Sequence, residues 1–245
     1  MTKKKKLIHH KNNGLEIKFF AGYAKGLNAK QTLSLEQEKL FLENSFLAKK
    51  VQLLHQVHGN DVIDYDYDTL KSSTNFYTAD AHLTTNSDIS LGIRIADCVP
   101  VTIWSNENKS SKPFVIALHC GWQSIHKNII SKALTKVAKS IQFDKVNYWI
   151  GPHIQQNRFE VHQDVFSHFD KKFYLSHQDK TKKYINLKSI IIEQIIDYCK
   201  IKNASISHFM PQDSTIDTGS TLHNGYIYSH RLGDKQRNVM LVSLL

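Results

Sequence analysis

Residues 91–104 read Leu-Gly-Ile-Arg-Ile-Ala-Asp-Cys-Val-Pro-Val-Thr-Ile-Trp. Two apolar, β-branched runs, 91–95 and 99–104, flank an Ala96-Asp97-Cys98 break, a pattern of two strands with a short connection rather than of one helix. Working outward, 15–20, 51–54, 61–64 and 113–119 are further short runs rich in β-branched or aromatic residues. Ser34 and Gln37 form a capping box ahead of Leu35, Phe41, Leu42 and Phe46, which predicts a helix over about 35–49. Ile130, Ala133, Leu134, Val137, Ala138 and Ile141 recur at helical spacing. So do Leu187, Ile190, Ile191, Ile195 and Cys199, with Asn186 as cap of a helix over 187–199. Extended runs at 146–150, 204–209, 226–229 and 239–244 complete an α/β mixture, read as a layered sandwich around a mixed sheet.

With 245 residues, 41% of them hydrophobic, the chain can bury one sizeable core. Its 4 Pro and 10 Gly are scattered and no repeat is evident, so residues 1–245 are read as a single domain. The longest apolar runs fall far short of the ~20 residues that span a bilayer. Residues 1–12 carry Lys3–Lys6 but only Leu7 and Ile8 as an apolar core, so they are read as a flexible basic N-terminus, not a signal peptide. A cytoplasmic protein, monomeric or homodimeric, is expected. The 32 Lys+Arg against 22 Asp+Glu give +10, which attracts anions, yet the lysines are dispersed among acids. A non-catalytic anion or nucleic-acid binder therefore ranks below an enzyme. Cys98, Cys120 and Cys199 are odd in number and lack paired spacing, which implies reduced thiols.

Three strand-like runs end in residues able to bind metals or move protons: His55-Gln-Val-His58-Gly59, Ala96-Asp97-Cys98 and His119-Cys120-Gly121-Trp122. Two imidazoles and a thiolate suit Zn²⁺ and leave a fourth coordination position open for catalysis. The same residues also allow a cysteine hydrolase, with Cys98 as nucleophile, His119 or His58 as base and Asp97 as orienter. The separations match no compact metal signature, so both readings stand on the residues alone.

Taken together, Gln56-Val-His58-Gly59, Ala79-Asp80-Ala81, Ala96-Asp97-Cys98-Val-Pro100, Ala117-Leu-His119-Cys-Gly121-Trp122, Gly151-Pro152-His-Ile154, Phe159-Glu160-Val161 and Tyr228-Ser229-His-Arg231 resemble the YfiH-like family. That family is also named multicopper polyphenol oxidoreductases or laccase-domain proteins, and is treated as purine nucleoside phosphorylases. The resemblance implies a three-layer α/β/α sandwich and a zinc ion held by His58, Cys98 and His119. It implies phosphorolysis of adenosine, inosine, guanosine or methylthioadenosine, with adenosine deamination at the same centre. Purine nucleoside and phosphate are then the partners. A copper-dependent polyphenol oxidoreductase, with Cu²⁺ in place of Zn²⁺, is the alternative carried by the older name. The cysteine hydrolase recedes, since a metal-bound thiolate is not a free nucleophile.

Around that ligand set, Asp97 is read as an orienting or proton-moving group, and Asp80 as a hydrogen-bonding partner of the site loops and substrate. Arg231 offers a planar donor fork for phosphate, and Gln56 a substrate contact or a clamp on backbone. Gln123 stands where the family commonly has Arg after Gly-Trp, so one anion contact is missing from the pattern.

Overall fold

The computed structural model describes residues 8–12, 14–20, 33–46, 49–66, 76–106, 112–222 and 225–245. In chain order these form β1 (Ile8–Asn12), β2 (Leu15–Phe20), α1 (Leu35–Phe46), β3 (Lys50–Gln52), β4 (Val62–Asp64), β5 (Ala81–Thr84), β6 (Ile89–Ile95), β7 (Val99–Ser105) and β8 (Phe114–Cys120). There follow α2 (Trp122–His126), α3 (Ile129–Ala138), β9 (Lys145–Ile150), β10 (Glu160–His162), α4 (Gln163–Phe166), β11 (Tyr174–Ser176), β12 (Lys182–Ile185) and α5 (Leu187–Ile201). The chain closes with β13 (Ser205–His208), the short pair β14 (Thr221–Leu222) and β15 (Gly225–Tyr226), and β16 (Asn238–Leu244).

Two mixed sheets lie face to face. One has the order β1-β2-β16-β6-β3 and the other β13-β9-β7-β8-β5-β4. Side chains alternate across each strand, and β8 shows what this does. Phe114, Ile116, Leu118 and Cys120 point to a core shared with α2, α3 and α5, while Val115 and Ala117 point to a core shared with the other sheet. Both faces of β7 and β8 are therefore covered, which is why their sequences read as continuous apolar runs. On the outer face of the first sheet, Leu35 and Leu42 of α1 meet Phe20, Val51, Leu53, Val239 and Leu241. The chain is thus a single α/β domain with helices outside and strands inside, the strand layer being double.

Local signals account for the helix starts. The Ser34 N–H donates to Gln37 Oε1 at 3.0 Å and the Gln37 N–H to Ser34 Oγ at 3.2 Å, a reciprocal capping box on α1. Asn186 Oδ1 accepts from the Ser189 N–H at 2.9 Å and caps α5. Residues 47–48 of the expected first helix lie outside the described residues, as do residues 1–7 of the basic N-terminus. Residues 8–12, read as part of that flexible segment, instead form β1, an edge strand paired to β2 in the register Asn12↔Leu15. Its polar composition follows from its position, because an edge strand can leave alternate side chains in solvent. Gly14, at φ 89°, adopts the left-handed conformation that glycine allows just before β2.

Candidate metal centre

The Ala96-Asp97-Cys98 connection joins β6 in one sheet to β7 in the other, and the 53–61 loop likewise runs from β3 to β4, across the two sheets. Both crossings occur at the end of β8 that carries His119. Each needs a sharp turn, and each contains a non-glycine residue in the left-handed region: His58 at φ 58° and Asp97 at φ 85°. Such a conformation costs roughly 1–3 kcal/mol and persists only when neighbours hold it.

Two buried carboxylates do the holding. Asp80, at the start of β5, accepts the backbone N–H groups of Val57 (3.1 Å), His58 (2.9 Å) and Gly59 (2.6 Å), which fixes the turn at His58. It also accepts from His119 Nδ1 at 2.7 Å, so the Nε2 of that ring is left to face the site. Burial by itself would raise the Asp80 carboxyl, but the His119 contact and the loop N–H donors outweigh it and hold the group below its ordinary range. Asp97 gathers the C-terminal part of the chain. Thr218 Oγ1 and Ser229 Oγ donate to its Oδ1 at 2.6 and 2.7 Å, and the Arg231 N–H donates to its Oδ2 at 2.8 Å. Its own carbonyl accepts the Ile154 N–H at 3.0 Å.

These constraints bring together His58 (exposed), Cys98 (half-buried) and His119 (buried), with candidate ligand atoms all within 4.8 Å of one another. Cys98 Sγ lies 3.7 Å from His58 Nε2. Donors at ~2.3 Å (sulfur) and ~2.0 Å (nitrogen) from a tetrahedral ion are separated by roughly 3.6 Å, so this edge fits zinc. The donor set, borderline imidazole with soft thiolate and a carboxylate behind one imidazole, fits as well. Burial opposes ionisation of the Cys98 thiol, yet His119 and His58 beside it pull its pKa down; burial likewise opposes protonation of His119, yet Cys98 and Asp80 push it up. Gly121 makes room for the group: a Cβ there would lie 2.7 Å from His58 Cδ2 and 3.3 Å from Cys98 Sγ. Cys120, one residue from His119, is excluded by strand alternation and packs in the helix-side core.

The remaining expected residues are placed as follows. The Asp97 carboxylate takes its hydrogen bonds from Thr218, Ser229 and Arg231, in the walls of the site. Gln56 is occupied with backbone: its Nε2 donates to the Arg94 carbonyl at 2.8 Å and its Oε1 accepts the Arg94 N–H at 2.9 Å, tying the His58 loop to β6. Arg231 donates from its guanidinium to the Glu160 carbonyl at 2.6 Å and lies 5.3 Å from the Phe159 ring centroid, so the Phe-Glu-Val and Tyr-Ser-His-Arg segments meet beside Asp97. Thr218 is a site residue that the sequence does not mark. Thr218 belongs to no motif and lies 121 positions from the Asp97 it serves, whereas the Gly-Trp dipeptide did carry a signal.

The family described as multi-copper polyphenol oxidoreductase laccase matches residues 22–243. A protein of Rickettsia conorii named purine nucleoside phosphorylase is 30% identical over 169 residues, covering 66% of this chain and 66% of that one, just under two thirds of its length. Among solved structures, a Neisseria meningitidis protein described as DUF152 superposes with a TM-score of 0.71 at 16% identity, over 97% of this chain and 98% of its own. The Bacillus licheniformis protein YfiH gives 0.70 at 15% identity, over 94% and 93%. At that identity the likeness is one of fold. No helix among the described residues is long and apolar enough to cross a membrane.

Proposed function

Because the chain belongs to the multi-copper polyphenol oxidoreductase laccase family, the YfiH-like proteins, we propose that it is a zinc-dependent purine nucleoside phosphorylase. The observation that carries the proposal is the convergence of His58, Cys98 and His119 at the crossing of the two sheets. The phosphorylase name of the Rickettsia relative supplies the reaction class. Adenosine, inosine, guanosine and methylthioadenosine are the proposed substrates, with adenosine deamination as a second activity of the same centre.

His58 Nε2, Cys98 Sγ and His119 Nε2 would hold the ion. When bound, zinc supplies Lewis acidity at an open coordination position beside the substrate. The protein's own part is positioning. Asp80 fixes the tautomer of His119 and the turn at His58, so both imidazoles are set before substrate arrives. Asp97 fixes the backbone at Cys98 and the segment leading to Arg231. In phosphorolysis a phosphate oxygen bonds to C1′ of the ribose while the bond from C1′ to the base breaks, and the base departs with the electron pair and takes up a proton. The Arg231 fork, anchored on the Glu160 carbonyl through one nitrogen, offers its other N–H groups to the phosphate. Gln56 serves as a clamp between the His58 loop and β6.

The test is nucleoside turnover with and without phosphate, analysed for free base and for inosine. Free base formed from adenosine or inosine only when phosphate is present supports the phosphorylase; inosine formed from adenosine in either case supports the deaminase. Absence of free base from every nucleoside overturns the phosphorylase assignment.

A further inference from the structure

A second pair of imidazoles lies outside the metal centre. His126 is the last residue of α2 and His168 follows α4, and both are exposed. Their ring centroids are 4.1 Å apart, with planes inclined at 39°. The molecule provides its own yardstick, since His58 and His119 have centroids 4.8 Å apart at 67°. We propose that His126 and His168 form a second, weaker binding site for a late first-row divalent metal ion, with water completing its coordination.

The spacing admits an ion. An imidazole nitrogen bound at ~2.1 Å puts its ring centroid roughly 3.2 Å from the metal. Two such rings at neighbouring positions of a tetragonal or octahedral ion then stand about 4.5 Å apart, against roughly 5.2 Å for a tetrahedral one. At 4.1 Å the two rings are close enough to occupy neighbouring positions of one ion, and among divalent ions imidazole sites bind Ni²⁺ and Cu²⁺ strongly. Neither ring must be ordered from a free rotor, because His168 is stacked on Trp122 at 5.8 Å and 19°, and His126 meets the edge of Phe169 at 6.4 Å. Preorganisation of this kind lowers the entropy cost of chelation. Trp122 and His126 are four apart on α2 and both meet the His168 ring, and α2 begins immediately after Gly121. The site is therefore about one helical turn, ~6 Å along the axis, from the loop that frames Cys98 and His58. An ion bound there cross-links α2 to the segment after α4.

The experiment is equilibrium dialysis of the as-purified full chain, its metal content measured beforehand, against NiCl₂. Saturable uptake of one nickel per chain beyond the metal already present is expected. His126→Ala and His168→Ala should each weaken that uptake by about tenfold or more, since one imidazole of the chelate is lost. Resident metal content and the thermal midpoint in chelated buffer should stay as in wild type. His162→Ala, removing another exposed histidine, should leave nickel uptake unchanged. His126→Asn repeats the test with side-chain volume largely retained. No saturable uptake, wild-type uptake in both alanine variants, or equal loss in His162→Ala would each overturn the proposal. None of these outcomes depends on nucleoside turnover.

Discussion

Replacing Gly121 with alanine separates the fold from the metal centre. The backbone there is extended, φ −75° and ψ 163°, a conformation alanine adopts without strain. In the unfolded chain the substitution removes conformational freedom worth ~0.4–1 kcal/mol, which favours folding. The added methyl carbon, however, would sit 2.7 Å from His58 Cδ2 and 3.3 Å from Cys98 Sγ. Carbon atoms in contact are normally ~3.5–4.0 Å apart, so the His58 ring must retreat by roughly 1 Å. Asp80 holds the backbone N–H groups of Val57, His58 and Gly59, so the turn stays in place and the ring retreats by rotating its side chain, which takes Nε2 away from Cys98. Disturbing a ligand through its supports typically costs 10–100-fold in metal affinity, about 1.4–2.7 kcal/mol. Gly121→Ala should therefore bind zinc 10–100-fold more weakly in competition with a chromophoric chelator. By calorimetry its metal-free thermal midpoint should stay within ~3 °C of wild type. Wild-type zinc affinity in the variant would refute the reasoning, because the geometry allows the methyl no other place.

Other substitutions probe the rest of the account. His119→Ala should abolish nucleoside turnover and leave the far-ultraviolet circular dichroism unchanged, since Asp80 keeps three backbone N–H donors; turnover at the wild-type rate in a folded, metal-depleted variant would remove the metal from the mechanism. Arg231→Lys keeps the charge and loses the fork, so the phosphate KM should rise by about tenfold with phosphate-independent deamination little changed, as steady-state kinetics would show. Equal losses in both activities would make Arg231 structural. His82 is fully buried between the sheets with both ring nitrogens unpartnered, and burial depresses its pKa to about 3. As pH falls the unfolded chain binds this proton first, at ~6.5, so stability present above that value is lost on the way to pH 3, on the order of a few kcal/mol. His82→Phe should flatten that acid limb in thermal melts recorded against pH; an unchanged limb would contradict the burial argument.

What could be read from the sequence followed local physics. Continuous apolar runs marked β7 and β8 because both faces of each are covered, and Ser34, Gln37 and Asn186 marked helix starts because their side chains act within one turn. Strand ends drew attention to His58, Cys98 and His119, which the fold brings together. Long-range partnership was not legible. Nothing in 91–95 and 99–104 reveals that the two strands belong to different sheets, because a short connection looks the same within one sheet or between two. Gln56 bonds the main chain of Arg94, a partner 38 positions away that the sequence does not mark. β1 escaped because an edge strand needs little apolar sequence.

The central claim is that His58, Cys98 and His119 hold one metal ion on which turnover depends. Elemental analysis of the purified protein tests it most directly, with each of His58→Ala, Cys98→Ala and His119→Ala run beside the wild type. The account predicts one equivalent of zinc per wild-type chain and a substoichiometric content in every folded variant. Wild-type protein without stoichiometric metal after zinc-supplemented preparation, or a Cys98→Ala chain that retains full occupancy, would contradict it.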